Sequence, residues 1–125
     1  MTVRGIRGAT TATENTRAAI VDATEELLRR MMDANSAASD DLAAVQFTTS
    51  PDLNAEFPAV SARERLGWAY VPLLNSHEMT VEHGQRRCIR VLMLWNTEKP
   101  QRDIRHVYLR DAAGLRKDLA QTADK

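Results

Sequence analysis

The most apolar stretch of the chain, Cys88-Ile89-Arg90-Val91-Leu92-Met93-Leu94-Trp95, is apolar at both alternating sets of positions. That pattern predicts a central strand covered on both faces. Residues 3–10 also alternate, with Val3, Gly5, Arg7 and Ala9 against Arg4, Ile6 and Gly8. They predict a strand whose glycines let another group approach the backbone closely. From Asn15 the period lengthens: Ile20, Thr24, Leu27, Leu28, Met31 and Met32 share one helical face. A helix over 15–34 follows, covering the sheet, with Asn15 or Thr13 as its cap.

Residues 38–41 read as a polar connection, and 42–49 as a short turn feeding a strand over 45–49 that Ser50-Pro51-Asp52 breaks. A short helix over 58–66 stops at Gly67, a strand over 68–73 is interrupted by Pro72, and 75–78 form a polar loop. After Pro100 a strand runs over 104–109, and the tail of about 117–125 is polar and loose. One long and one short helix flanking a mixed sheet define an α+β (α/β-like) fold in one domain, 1–125. Strands apolar on both faces exceed what one long helix can cover, so the pattern also predicts oligomerisation.

Composition narrows the function. The 125 residues carry a formal net charge of zero, so no broad basic field exists to collect nucleic acid or an anionic membrane surface. No apolar run reaches bilayer length, and residues 1–16 hold no signal-peptide core. Cys88, the only cysteine, permits no intrachain disulfide and reads as an inert core thiol in a reducing, cytoplasmic setting.

Chemistry concentrates on Arg90, a cation that cannot shed its proton inside an apolar strand. It demands either an internal carboxylate or a carboxylate or phosphate from a ligand. Arg7, Glu78 and Tyr108 are further polar groups on strands or at strand ends, with Arg63 and Arg116 on flanking segments. Singly each fits an ordinary surface role; together they suggest a pocket for a ligand bearing carboxylates. His77 and His83 lie six apart, which does not fit a helical metal pair, so no metal site is expected. With no nucleophile motif and no glycine-rich cofactor loop, the set favours a reaction that needs only binding and electrostatics.

Six blocks resemble the monofunctional chorismate mutases of the trimeric, non-helical class: Arg4-Gly5-Ile6-Arg7-Gly8-Ala9-Thr10-Thr11, Thr49-Ser50-Pro51-Asp52-Leu53, Phe57-Pro58-Ala59, Glu78-Met79, Cys88-Ile89-Arg90-Val91 and Ile104-Arg105-His106-Val107-Tyr108-Leu109. The resemblance implies the rearrangement of chorismate to prephenate, without cofactor, in a homotrimer that forms a pseudo-α/β barrel with active sites between subunits. It implies that Arg90 donates to the breaking ether oxygen, Arg7 and Tyr108 bind a carboxylate, and Glu78 accepts from the ring hydroxyl. Phe57 and Ala59 would wall the pocket, Arg63 would stand at its rim, and Leu115 and Arg116 would close its mouth. Leu74, Asn75, Ser76 and His77 would contact substrate largely through backbone. Asn75 and Val60 depart from the family pattern, which has cysteine and lysine there. A non-catalytic trimeric binding protein for a small carboxylate is the competing reading.

Overall fold

The computed structural model describes residues 2–115. Five strands, β1 (Thr2–Thr11), β2 (Leu42–Thr49), β3 (Leu73–His77), β4 (Cys88–Thr97) and β5 (Val107–Tyr108), form one mixed sheet in the order β3-β2-β4-β1-β5. β4 runs antiparallel to both β1 and β2, while the outer pairs β2–β3 and β1–β5 are parallel. Two helices, α1 (Arg17–Asn35) and α2 (Ala59–Glu64), supply the crossovers between parallel strands and cover one face.

The helical face read from the sequence is the buried one: Ile20, Thr24, Leu27, Leu28, Met31 and Met32 all lie inside. They pack on Ile6, Val45, Phe47, Val91 and Met93, which alternate out of β1, β2 and β4. Gly8 is where α1 comes closest; a Cβ there would collide with Met31 Sδ and reach 3.1 Å from Leu27 Cδ1. The expected close approach to the glycine strand is therefore the helix itself.

The cap of α1 is Thr16, whose hydroxyl accepts from Ala19 N–H, and not Asn15 or Thr13. Asn15 is occupied elsewhere, accepting from the backbone N–H groups of Asn54 and Ala55 and so pinning the helix entrance to the segment after β2. β2 starts at Leu42, three residues before the predicted strand, through an irregularity between Leu42 and Ala44. The third strand is displaced: 68–72 are not extended pairing partners, and β3 occupies the segment expected to be a loop, up to His77. Gly67, at φ 71°, ends the α2 region and lets Trp68 N–H return to Ala62 O, which buries the indole; pairing then begins only past Pro72, whose carbonyl accepts from Val45 N–H. The predicted strand over 104–109 shortens to β5 because Arg7 N–H donates to the His106 ring, Nδ1 at 2.9 Å, in place of a ladder carbonyl.

β4 is covered on one face only. Leu92 and Leu94 are 39% and 37% exposed, while Ile89, Val91, Met93 and Trp95 are buried. The second apolar set belongs to an open sheet face. Across that face run two rows fixed by register: Ser76–Thr48–Arg90–Ala9–Tyr108 through all five strands, and Leu74–Gln46–Leu92–Arg7 one pair further along.

Candidate active site

Strand alternation puts Arg7 and Arg90 on the open face, on diagonally related positions of neighbouring strands. Ala9, directly opposite Arg90, is too small to fill the space between them. Tyr108 enters the same row from β5. Glu78 follows β3, its N–H extending the ladder to Thr49 O at 2.7 Å. Arg7, Gln46, Thr48, Glu78, Arg90 and Tyr108 thus line one cavity of about 380 Å³.

Arg90 does have an internal carboxylate, but a distant one: Glu78 Oε2 lies 4.0 Å from Arg90 Nε, with side chains 42% and 35% exposed. A part-exposed pair at that separation contributes little to stability. The other Glu78 oxygen accepts from Met79 N–H at 3.0 Å, which holds the carboxylate at the cavity edge. Among the described residues, Arg7 has no carboxylate within 4 Å of its guanidinium. Tyr108 Oη and Thr48 Oγ1 are buried without a hydrogen-bond partner in this same cavity. Two cations and two unsatisfied hydroxyls around one hollow make a receptor for an anion with several oxygens.

Arg90 is held by the strand start before it. Asp52 accepts from Arg87 N–H with both carboxylate oxygens, at 3.1 and 3.0 Å, and from Ser50 Oγ at 2.5 Å. Ser50 Oγ accepts from Cys88 N–H at 2.8 Å. Arg87 takes a left-handed φ of 46°, so this clamp sets where β4 begins, two residues before Arg90. Cys88 is buried there, and that burial pushes its thiol pKa up against the lowering effect of the Arg90 charge.

The remaining expected residues do not join this cavity. Phe57, Asn75, Ser76 and His77 line a second hollow of about 400 Å³ with Thr49 and Pro58. Phe57 is 61% exposed and forms one wall. Ala59 forms no wall; it is fully buried, and its N–H donates to Asn75 Oδ1 at 3.0 Å, which anchors the start of α2. Leu74, 70% exposed, belongs to a hollow of about 320 Å³ with Leu92 and Leu94 on the open face. Arg63, in the last turn of α2, lines none of these hollows. Leu115 packs beside Ala9, Cys88, Tyr108 and Ala112, next to the first cavity, and Arg116 lies outside the described residues. Gln46 and Thr48 were not foreseen. Their signal was present as two polar residues on alternate positions of an otherwise apolar strand.

Residues 3–119 match the family model described as Chorismate mutase type I. A chorismate mutase AroH of Thermus thermophilus is 53% identical over 118 residues, covering 94% of this chain and 96% of that protein. The chorismate mutase AroH of Bacillus subtilis (strain 168) is 43% identical over 122 residues, covering 98% and 96%. Among solved structures, a chorismate mutase from Clostridium thermocellum superposes with a TM-score of 0.84 at 44% identity, covering 86% of this chain and 96% of that one.

Proposed function

This chain belongs to the chorismate mutase type I family, and we propose that its active site is completed between subunits of a homotrimer, each chain lending one of its two cavities to a neighbour. The enzyme rearranges chorismate to prephenate, a step of aromatic amino acid biosynthesis. The reaction needs no external nucleophile and no proton transfer, because one ether bond breaks as a carbon–carbon bond forms within the same molecule. What a protein can add is selection of the compact conformer and stabilisation of charge as the ether bond lengthens.

The observation that carries the reading is the convergence of Arg7, Glu78, Arg90 and Tyr108 on one cavity of the open face. In the proposed mechanism Arg90 meets the negative charge that grows on the ether oxygen and also holds a carboxylate. Its charge is permanent and the sheet fixes its position, so the stabilisation requires little reorganisation. Arg7 and the unpartnered Tyr108 hydroxyl bind a carboxylate, and Glu78 accepts from the ring hydroxyl. Phe57 supplies an apolar wall from the second cavity, with Asn75, Ser76 and His77 beside it. Arg63 stands at the rim, and Leu115 with Arg116 closes the mouth. A millionfold acceleration corresponds to about 8 kcal/mol of differential stabilisation, within the range of such preorganised charges.

Two features support sharing between subunits. The second cavity holds Phe57 and His77 apart from the two arginines, and the face carrying the arginines exposes Leu74, Leu92 and Leu94, an apolar surface that a second copy would cover. Such an assembly would form the pseudo-α/β barrel, with the whole chain acting as one domain and the buried free thiol in keeping with the cytoplasm.

Mixing inactive variants tests this reading. Arg90→Ala damages the first cavity, and Phe57→Glu sets a carboxylate against a dianionic substrate in the second. In a shared site, subunit exchange between the two recovers about a quarter of full activity, as random assembly of complementary halves requires. Absence of recovery from exchanging trimers overturns the shared site. Chorismate turnover, followed by loss of its ultraviolet absorbance, is the assay.

A further inference from the structure

Asn75 and His77 alternate off β3 onto the α2 side, and each is tied to the fold through one atom only. Asn75 Oδ1 accepts from Ala59 N–H at 3.0 Å, which leaves the amide Nδ2–H group for the cavity. His77 Nδ1 lies 3.0 Å from Thr49 Oγ1, and Thr49 Oγ1 lies 3.3 Å from Leu53 O. This hydroxyl accommodates two states of the ring. With a neutral imidazole, Thr49 donates its proton to Nδ1, and the ring hydrogen sits on Nε2. With an imidazolium, Nδ1–H donates to Thr49, whose own proton turns to the Leu53 carbonyl. Nε2 is a donor in both states, the ring keeps its place, and only its charge changes.

The charged surroundings leave that donor available. Glu56 is the other titratable group lining the cavity, and it is engaged by Arg17 Nε at 3.0 Å and by Phe57 N–H at 2.9 Å. Arg17 is itself shared with Glu64. Glu78, next in the chain, points to the other cavity and Arg90. β2 and the segment after it face the ring with Thr49 and Leu53, neither of which titrates.

We infer that His77 is a substrate-recognising residue whose Nε2–H, beside Asn75 Nδ2, takes a carboxylate of chorismate, and takes it more tightly as an imidazolium. The inference rests on the second cavity's being part of the active site. Histidine is the side chain whose charge ordinarily changes between pH 5 and 8, so the effect falls within the working range of the enzyme.

The test is the pH profile of KM for chorismate between pH 6 and 8, with kcat read from the same data. In the unaltered enzyme KM rises about fivefold towards alkaline pH, the difference between a charge-assisted and a neutral hydrogen bond. His77→Gln keeps a polar group of similar reach but no charge, and gives a flat profile at the alkaline level. His77→Arg carries a permanent charge and gives a flat profile at the acid level. A His77→Gln profile that tracks the unaltered enzyme overturns the role of His77, whatever the mixing experiment shows. Failure of subunit mixing to restore activity instead overturns the shared site on which the inference stands.

Discussion

Gly8 lies directly beneath Met31: a single methyl group on the strand would overlap the methionine sulfur. α1 therefore rests on β1 at backbone distance, between Arg7 and Ala9, and the helix that builds the core also fixes the two strand positions flanking the site. Gly8→Ala is expected to destabilise the fold by about 1–3 kcal/mol through overpacking, lowering the melting temperature by roughly 5 °C or more. Thermal unfolding followed by circular dichroism checks this; an unchanged melting temperature would show that Met31 can move aside.

Arg90→Ala should retain the fold, since the guanidinium is part-exposed and its nearest carboxylate is 4.0 Å away. Its kcat/KM should fall on the order of 10³-fold, the loss typical of removing one group that stabilises developing charge. Arg90→Lys keeps the charge but not the planar fork, and should also be severely impaired. Steady-state kinetics with chorismate, beside a melting curve for each variant, separates catalysis from folding. Near-normal turnover in Arg90→Ala would sink the proposed mechanism.

Acid should loosen the start of β4. Burial acts to raise the Asp52 carboxyl, but hydrogen bonds from Ser50 and the Arg87 backbone outweigh it, so the group titrates below its ordinary 3.8. A native pKa below the unfolded one gives stability that is fully present above the unfolded value and drains away as pH falls through the native value. The urea midpoint should therefore drop below about pH 4 in the unaltered protein, and drop less steeply in Asp52→Asn, which starts from a lower midpoint at pH 7. Parallel curves for the two proteins would remove Asp52 from the account.

The Cys88 thiol should resist modification in the native protein. Burial raises its pKa despite the nearby Arg90 cation, so little thiolate is available to react. Labelling with a maleimide should be slow in buffer and rapid in urea. Fast labelling under native conditions would mean that β4 opens locally at its first residue.

The long, strongly periodic segments were legible in the sequence: β1, the buried face of α1 and the core of β4 follow directly from spacing. The misplaced elements share a cause. β3 is an edge strand of polar alternation, and a sequence cannot distinguish Asn75-Ser76-His77 on a sheet edge from a loop; Pro72, which looked like an interruption, is where pairing starts. β5 was overextended because a histidine ring stands in for a backbone partner of Arg7, a substitution that no periodicity announces. For the site, Arg90 was legible as a cation out of place, and the resemblance supplied its companions. Their division between two cavities, and the presence of Thr48 among them, depended on register, which is a relation between strands and not a property of any one of them.

The row that places Thr48, Arg90 and Ala9 side by side also bears on how the chain finds its pairing. β4 is apolar on both faces, the kind of strand that could shift by one residue against its neighbours with little loss of hydrophobic contact. A one-residue slip would turn Arg90 beneath α1, among Ile20, Leu27 and Met31, with no counter-charge, at a cost of several kcal/mol. The cation thus penalises the wrong alignment of the central strand during folding. Replacing it with leucine would remove a proofreading signal from the folding chain as well as a catalytic charge from the finished enzyme.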